Sequence, residues 1–156
     1  MFGFLKRKKR EIFSPADGQL IDITEVPDAL FSQKMVGDGV ALRPAGDIFC
    51  APIDGVISKI FSTNHAFSIK SDKEMEVMVH IGLETVALKG KGFERLAEEG
   101  DKVSVGDPII KVDLNYITEH VKDTITPIIV SEESDVENIE KRLRIVKCGD
   151  LIMEAN

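Results

Sequence analysis

A chain of 156 residues with 43% apolar and 30% charged side chains has the size and make-up of one globular domain, which excludes a disordered polymer. The net charge of −7 is unevenly placed, because Lys6, Arg7, Lys8, Lys9 and Arg10 form one basic block. Without that block 15 basic residues stand against 27 acidic ones, a net −12, which excludes nucleic acid as the main partner.

A domain of this length buries roughly 68–70% of its unfolded surface and needs no disulfide framework. Cys50 and Cys148 are far apart in sequence and lack metal-ligand spacing, so they read as reduced thiols of a cytoplasmic protein. No run approaches the roughly 20 apolar residues of a membrane span. The short apolar run Phe2–Leu5 precedes the positive charges, the reverse of a secretory signal. Residues 1–12 are expected to form a basic tail and residues 13–156 a single domain. The tail has two readings: a frayed solvated end, or a peripheral contact of residues 1–10 with the anionic inner face of the membrane.

From residue 13 onward, short apolar runs alternate with Gly, Asp and Pro breakers. The breakers are Asp17-Gly18, Gly37-Asp38-Gly39, Asp54-Gly55, Gly100-Asp101, Gly106-Asp107 and Gly149-Asp150, residues that supply the positive φ of tight turns. Between them Leu20–Ile23, Val40–Leu42, Val56–Phe61, Val77–Ile81, Val103–Val105, Ile109–Val112, Ile125–Val130 and Leu143–Val146 have the length and β-branched content of strands. An all-β sandwich or barrel with a few short helices follows. Ser14–Leu20 and Ala51–Ile57 are similar, each pairing a Pro with an Asp-Gly turn before a strand, as two related half-barrels would. Short helices are expected over Gly92–Glu98, from the N-cap Asp113 to about Asp123 with Leu114, Ile117 and Val121 inward, and over Ser134–Arg142. His120 falls on the second of these, exposed and without a role.

The informative stretch runs from Phe61 to Gly82. Two β-rich runs flank the polar break Ser71–Glu74, a hairpin signal. Pairing Lys70 with Met75 sets Phe67 opposite Met78 and His65 opposite His80. Val77, Val79 and Ile81 alternate as a core face, so Glu76, Met78, His80 and Gly82 point to the other side. Directly opposed side chains lie about 4.5–5.5 Å apart at Cβ, so this register puts two imidazoles side by side on an accessible face.

Such a pair can be structural, can begin a metal site, or can transfer phosphoryl groups. His65 and His80 suit Zn²⁺ only if a further ligand joins them, and a binding partner could supply one, because nothing at fixed spacing adds a third. A neutral imidazole is also a competent covalent nucleophile, and a second imidazole N–H can hold the oxygens of its phosphoryl adduct. Thr63, two residues before His65, can orient that second ring through its hydroxyl. The pair alone leaves these readings open.

Lys59–Ile69, Val79-His80-Ile-Gly82-Leu-Glu84-Thr-Val86 and Leu88–Phe93 closely resemble the glucose-family IIA domain of the bacterial sugar phosphotransferase system. Val36–Val40, Ala51–Gly55, Ala97–Gly100 and Val105–Asp107 are similar too, so the likeness covers roughly residues 13–153. The resemblance implies an antiparallel β-sandwich of the barrel-sandwich hybrid type without a cofactor; the chain is expected to be a free-standing IIA domain, where many relatives are fused to permease domains. It implies phosphoryl acceptance on His80, stabilisation by His65 and orientation of His65 by Thr63. It further implies the phosphocarrier protein HPr as donor, a cysteine on the IIB domain of a IIB/IIC sugar permease as acceptor, and an apolar docking ring of Phe31, Val36, Phe61 and Met78. Regulatory partners would share that surface. Glu84 stands where the family commonly has Asp, and Met78 where it commonly has an aromatic.

Three other readings compete: a zinc peptidase of related fold, a lipoyl or biotinyl carrier, and a regulator that binds partners without turnover. The absence of His-x-His (Met78 occupies the place) argues against the first. The absence of a lysine-bearing turn between two Gly-Asp hairpins argues against the second.

Overall fold

The computed structural model describes residues 10–72 and 74–156. The first strands are β1 (Arg10–Phe13) and β2 (Gly18–Asp22), followed by the short helix α1 (Ala29–Ser32). Next come β3 (Gly37–Pro44), β4 (Ile48–Cys50), β5 (Gly55–Ile60), β6 (Ala66–Lys70) and β7 (Glu76–His80). Then follow β8 (Phe93–Arg95), β9 (Lys102–Val103), β10 (Pro108–Val112) and α2 (Leu114–His120). The chain ends with β11 (Thr126–Ser131), β12 (Ile139–Lys141), β13 (Ile145–Val146) and β14 (Leu151–Ala155). All ladders are antiparallel.

The expected all-β architecture is present as one eight-stranded and two three-stranded sheets. The large sheet runs β13-β2-β3-β11-β7-β6-β5-β9, the small ones β1-β14-β12 and β4-β10-β8. The main core draws on all three sheets, with Val79, Phe67 and Leu42 from the large sheet, Met153 from one small sheet and Phe49 and Ile110 from the other. A second, smaller core of Ile23, Val26, Phe31, Ala41, Leu83, Ile125 and Ile129 gathers around α1 and the turn before it. The site therefore lies on a sheet that is packed on both faces.

The internal repeat is real in three dimensions. Ser14 exchanges backbone hydrogen bonds with Gly149 and Asp150, and Ala51 does so with Gly106 and Asp107. Asp17 accepts from the Cys148 N–H and Asp54 from the Val105 N–H, each at 2.8 Å. The glycine after each Asp sits where the neighbouring strand comes closest. A Cβ on Gly18 would lie 2.2 Å from the Arg43 carbonyl oxygen, and one on Gly55 2.3 Å from that of Lys70.

Several expectations need correction. The folded body begins by Arg10, not residue 13, because β1 pairs with the unforeseen β14 (Ile12 opposite Met153). Arg10, counted with the basic block, is buried and donates to the Asp135 carbonyl at 2.6 Å. The rest of the tail, with its expected membrane contact, lies outside the described residues. Residues 92–98 form no helix: Gly90 and Gly92 have φ near +90°, and the following segment becomes β8 on the free edge of β10. Residues 134–142 are not helical either. Ser134 hydrogen-bonds the backbone of Glu76, and β12 joins β14. The helix capped by Asp113 is present, with Ile117 buried, but it ends at His120. His120 is exposed and its ring stacks on Tyr116.

The hairpin register also differs by one residue. Lys70 pairs with Glu76, Phe67 with Val79 and Ala66 with His80, so five residues, not four, form the connection. Met75 is the extra one, buried in the main core with its carbonyl accepting from Ser71 N–H. The expected register would have turned Phe67 and Ile69 away from the core. Each is fully buried here, and exposing such a side chain costs roughly 1.5–3 kcal/mol, more than a turn preference returns.

Replacing Gly55 by Ala tests the strand contact at the start of β5. The new methyl meets a backbone oxygen that cannot swing aside, so the β5–β6 ladder must open. A loss of about 2 kcal/mol or more is expected, read as a lowered urea midpoint with intact overall β content by circular dichroism.

Candidate functional site

His80 is the last residue of β7, the strand between β11 and β6 in the large sheet. The alternation read from the sequence holds, with Val77, Val79 and Ile81 buried beneath it. Two residues further, Gly82 takes φ +73°, a left-handed conformation that glycine adopts freely. A Cβ there would meet Thr85 at 2.8 Å. This turn aims the Gly82 carbonyl at His80 Nδ1, 2.8 Å away. A carbonyl only accepts, so Nδ1 carries the proton and donates. In the neutral ring the lone pair is then on Nε2.

His65 reaches the same place by a different route. It precedes β6, and strand alternation alone would point it away from His80, since Ala66 occupies the paired position. The turn before it redirects the chain. Asn64 adopts φ +60°, its N–H donates to the Phe61 carbonyl at 2.7 Å, and its side-chain oxygen accepts from Arg95 Nε at 3.0 Å. The unexpected strand β8 therefore helps to hold the histidine turn. The two imidazole centroids lie 5.1 Å apart with planes at 79°. The proximity expected from sequence is present, although the register argument for it was off by one.

Thr63 lies where expected, its hydroxyl 2.5 Å from His65 Nδ1. The expected accessibility of both rings is corrected for His65, which is only 4% exposed because the Phe61 ring packs edge-on against it. Its burial, with a smaller push from the neighbouring His80, lowers the His65 pKa to about 4. His80 is half-buried and is also held below its ordinary value, mainly by burial. The hydrogen bond to Gly82 and the negative charge of Asp28 pull it back in part. Both rings are neutral at pH 7.

The four apolar residues expected to ring the site all line a shallow cavity of about 360 Å³ beside His80. They are not equivalent. Phe31 is buried, its ring 5.3 Å from that of His80, and forms a wall. Val36, Phe61 and Met78 are half-buried. The cavity also takes in Leu30, Val86, Asp28 and Glu84. Leu30 and Val86 are more exposed than any of the expected four, and sequence reasoning missed them. Apolar residues at exposed positions flanking Asp28 and Glu84 were the available signal. Asp28 was also missed; its carboxylate accepts from the Leu30 N–H at the start of α1. Among the described residues no group of three or more His, Cys, Asp or Glu side chains is placed to hold a metal ion.

A family model described as phosphoenolpyruvate-dependent sugar phosphotransferase system, EIIA 1, matches residues 10–136. The chain belongs to this family. It is 44% identical to the PTS system glucose-specific EIIA component of Haemophilus influenzae over 157 aligned positions, 99% of this chain and 95% of that protein. It is 45% identical over 129 positions to the N-acetylglucosamine-specific EIICBA component of Escherichia coli, where the match spans only 20% of the relative. Among solved structures, glucose permease IIA from Mycoplasma capricolum superposes with a TM-score of 0.90 at 34% identity, covering 95% of this chain and 96% of that one. The resemblance read from the histidine segment is thereby borne out, and neither a zinc peptidase nor a lipoyl carrier is among these relatives. Among the described residues no helix is long and apolar enough to cross a membrane.

The buried His65 makes stability depend on pH. Above its ordinary pKa of 6.5 the ring is neutral in both folded and unfolded chains. As pH falls from 6.5 toward 4 the unfolded chain binds a proton that the folded chain refuses, so stability is lost across that window. The His65 share reaches about 3 kcal/mol. Urea denaturation at pH 7 and at pH 4.5 should show a smaller difference for His65→Gln than for the parent.

Proposed function

We propose that His80 Nε2 carries the phosphoryl group as this IIA component relays it from phospho-HPr to the IIB domain of a sugar permease. The observation that carries the assignment is the Nδ1–H···O=C bond to Gly82, which leaves Nε2 as the nucleophilic nitrogen. In the first transfer the Nε2 lone pair attacks phosphorus in line, and the donor's phosphorus–nitrogen bond breaks. The ring gains positive character at Nδ1–H, and the Gly82 carbonyl accepts that charge-assisted bond. In the second transfer the IIB cysteine thiolate attacks, and the electron pair returns to Nε2.

His65 supplies a donor rather than a nucleophile. With the Thr63 hydroxyl donating to Nδ1, the neutral ring holds its proton on Nε2 and presents it to the phosphoryl oxygens. Burial keeps the ring neutral, so its tautomer is set by Thr63 rather than by pH. The apolar rim of Val36, Phe61 and Met78 excludes water around the transferring group and docks the partners in turn. Regulatory partners would meet the same surface. Such a relay works in the cytoplasm, where HPr and the IIB domain are met.

Incubation with phosphoenolpyruvate, the first kinase of the system and HPr should give an acid-labile, base-stable adduct located on His80 by mass spectrometry. His80→Gln should take none, and normal labelling of that variant overturns the assignment. His65→Gln should still accept phosphate on His80 but pass it to IIB roughly 10²–10³-fold more slowly. Thr63→Ala should show a milder form of the same defect. Unchanged transfer to IIB by His65→Gln, or phosphate found on His65 in the parent, would mean the roles are misassigned.

Interfaces depend on a few central anchors. Phe61→Asp and Val36→Glu should therefore slow transfer from HPr by about tenfold or more. Thermal melting should shift less, since both side chains are only half-buried. Unaltered rates in stopped-flow transfer assays would exclude this rim as the docking surface.

A further inference from the structure

The two cysteines, 98 positions apart in sequence, are brought together by the fold. Both flank the segment Ser14–Asp17. The Cys50 N–H donates to the Pro15 carbonyl at 2.7 Å, and the Cys148 N–H donates to the Asp17 carboxylate at 2.8 Å. The Gly149 N–H closes the same segment by donating to the Ser14 carbonyl at 2.9 Å. The two residues therefore sit on either side of one four-residue segment, and Cys148 is near enough to help hold the Cys50 thiol protonated. Cys50 is buried at the end of β4, and Cys148 is exposed in the turn between β13 and β14. Nothing in the phosphoryl relay uses either thiol.

We propose that Cys50 and Cys148 form a redox-modification site that closes into an internal disulfide on exchange with a low-molecular-weight disulfide such as glutathione disulfide. The exposed Cys148 thiolate attacks one sulfur of glutathione disulfide, forming a mixed disulfide and releasing one glutathione thiolate. Cys50 then gives its proton to solvent and attacks the Cys148 sulfur, and the second glutathione thiolate leaves. Two protein thiols are oxidised and one glutathione disulfide is reduced to two glutathiones.

Burial sets the order of these steps. Burial, with smaller pushes from the neighbouring Cys148, Asp107 and Asp17, raises the Cys50 thiol to about 12, which suppresses its thiolate. Mixed-disulfide formation at Cys148 removes its contribution and leaves burial, with the charges of Asp107 and Asp17, as the remaining brake. The first step is therefore fast and the closure slow. The product staples the β4 end of one small sheet to the turn that leads into β14 of the other. It closes a loop of 98 positions that is open in the unfolded chain, so the unfolded state loses more freedom than the folded state.

The test is incubation of the full chain with glutathione disulfide at pH 8, followed by peptide mapping without reductant. The expected product is a Cys50–Cys148 cross-linked peptide, appearing after a Cys148–glutathione adduct and removed by dithiothreitol. Its formation should raise the melting temperature by about 5–10 °C. Cys50→Ser should stop at the mixed disulfide. Cys148→Ser, at an exposed position that tolerates the change, should leave Cys50 unmodified. A parent protein that stops at the Cys148 adduct after equilibration, or a Cys148→Ser variant whose Cys50 reacts as fast as the parent does, overturns the proposal.

Discussion

A single hydrogen bond, from His80 Nδ1 to the Gly82 carbonyl, decides what the site can do. It fixes the tautomer of a half-buried imidazole and leaves the ring's lone pair on Nε2. The bond exists because the chain turns sharply right after β7, and the turn exists because residue 82 has no Cβ to strike Thr85. Around it the Thr85 hydroxyl donates to the Ile81 carbonyl and the Leu83 N–H to the Asp123 carbonyl, so little is free to drift. The motif His-x-Gly is a statement about backbone geometry as much as about a side chain.

Burial does the second half of the work. A sheet face left open to water would let both imidazoles titrate near neutrality, and a protonated Nε2 is no nucleophile. The second core, built from the segment between β2 and β3, covers that face and leaves His80 at its margin. The cost appears as acid sensitivity of the fold. With it comes a pair of neutral rings, each with a hydrogen-bond partner at Nδ1, Thr63 for His65 and Gly82 for His80.

The repeat explains how a chain with few helices encloses such a core. Two Pro-containing loops, at Ser14–Gly18 and Ala51–Gly55, each receive a Gly-Asp hairpin from elsewhere in the sequence, and Asp17 and Asp54 lock them with equivalent hydrogen bonds. The halves have since diverged at their edges. Val105 in one half stands where Cys148 stands in the other, and Phe13 stands where Cys50 does. The thiol pair is thus a difference between two otherwise equivalent corners of the same scaffold.

Much of this was legible in the sequence, because local chemistry leaves local marks. Asp-Gly and Gly-Asp pairs marked the turns, the alternation of Val77, Val79 and Ile81 marked the buried face of β7, and Asp113 marked the start of α2. The fault in the expected register was in principle readable too: it set Phe67 and Ile69 on the opposite side from Val79 and Val77, whereas the observed pairing sets all four on one side. The strands β1, β8, β12 and β14 were not readable, since each short segment is a strand only because a distant edge offers it hydrogen bonds. His65 shows the limit most clearly. A period of two tells which face of its own strand a residue takes, but His65 lies outside the strand, and the left-handed turn at Asn64, pinned by Arg95 thirty-one positions away, swings it to the other side. The chain by itself set two histidines, a threonine and a glycine near the end of one hairpin. Only the tertiary structure decided that the two rings meet, that one is sealed under Phe61 while the other faces a cavity, and that two remote cysteines flank one short segment, because burial and contact depend on surfaces that distant parts of the chain supply.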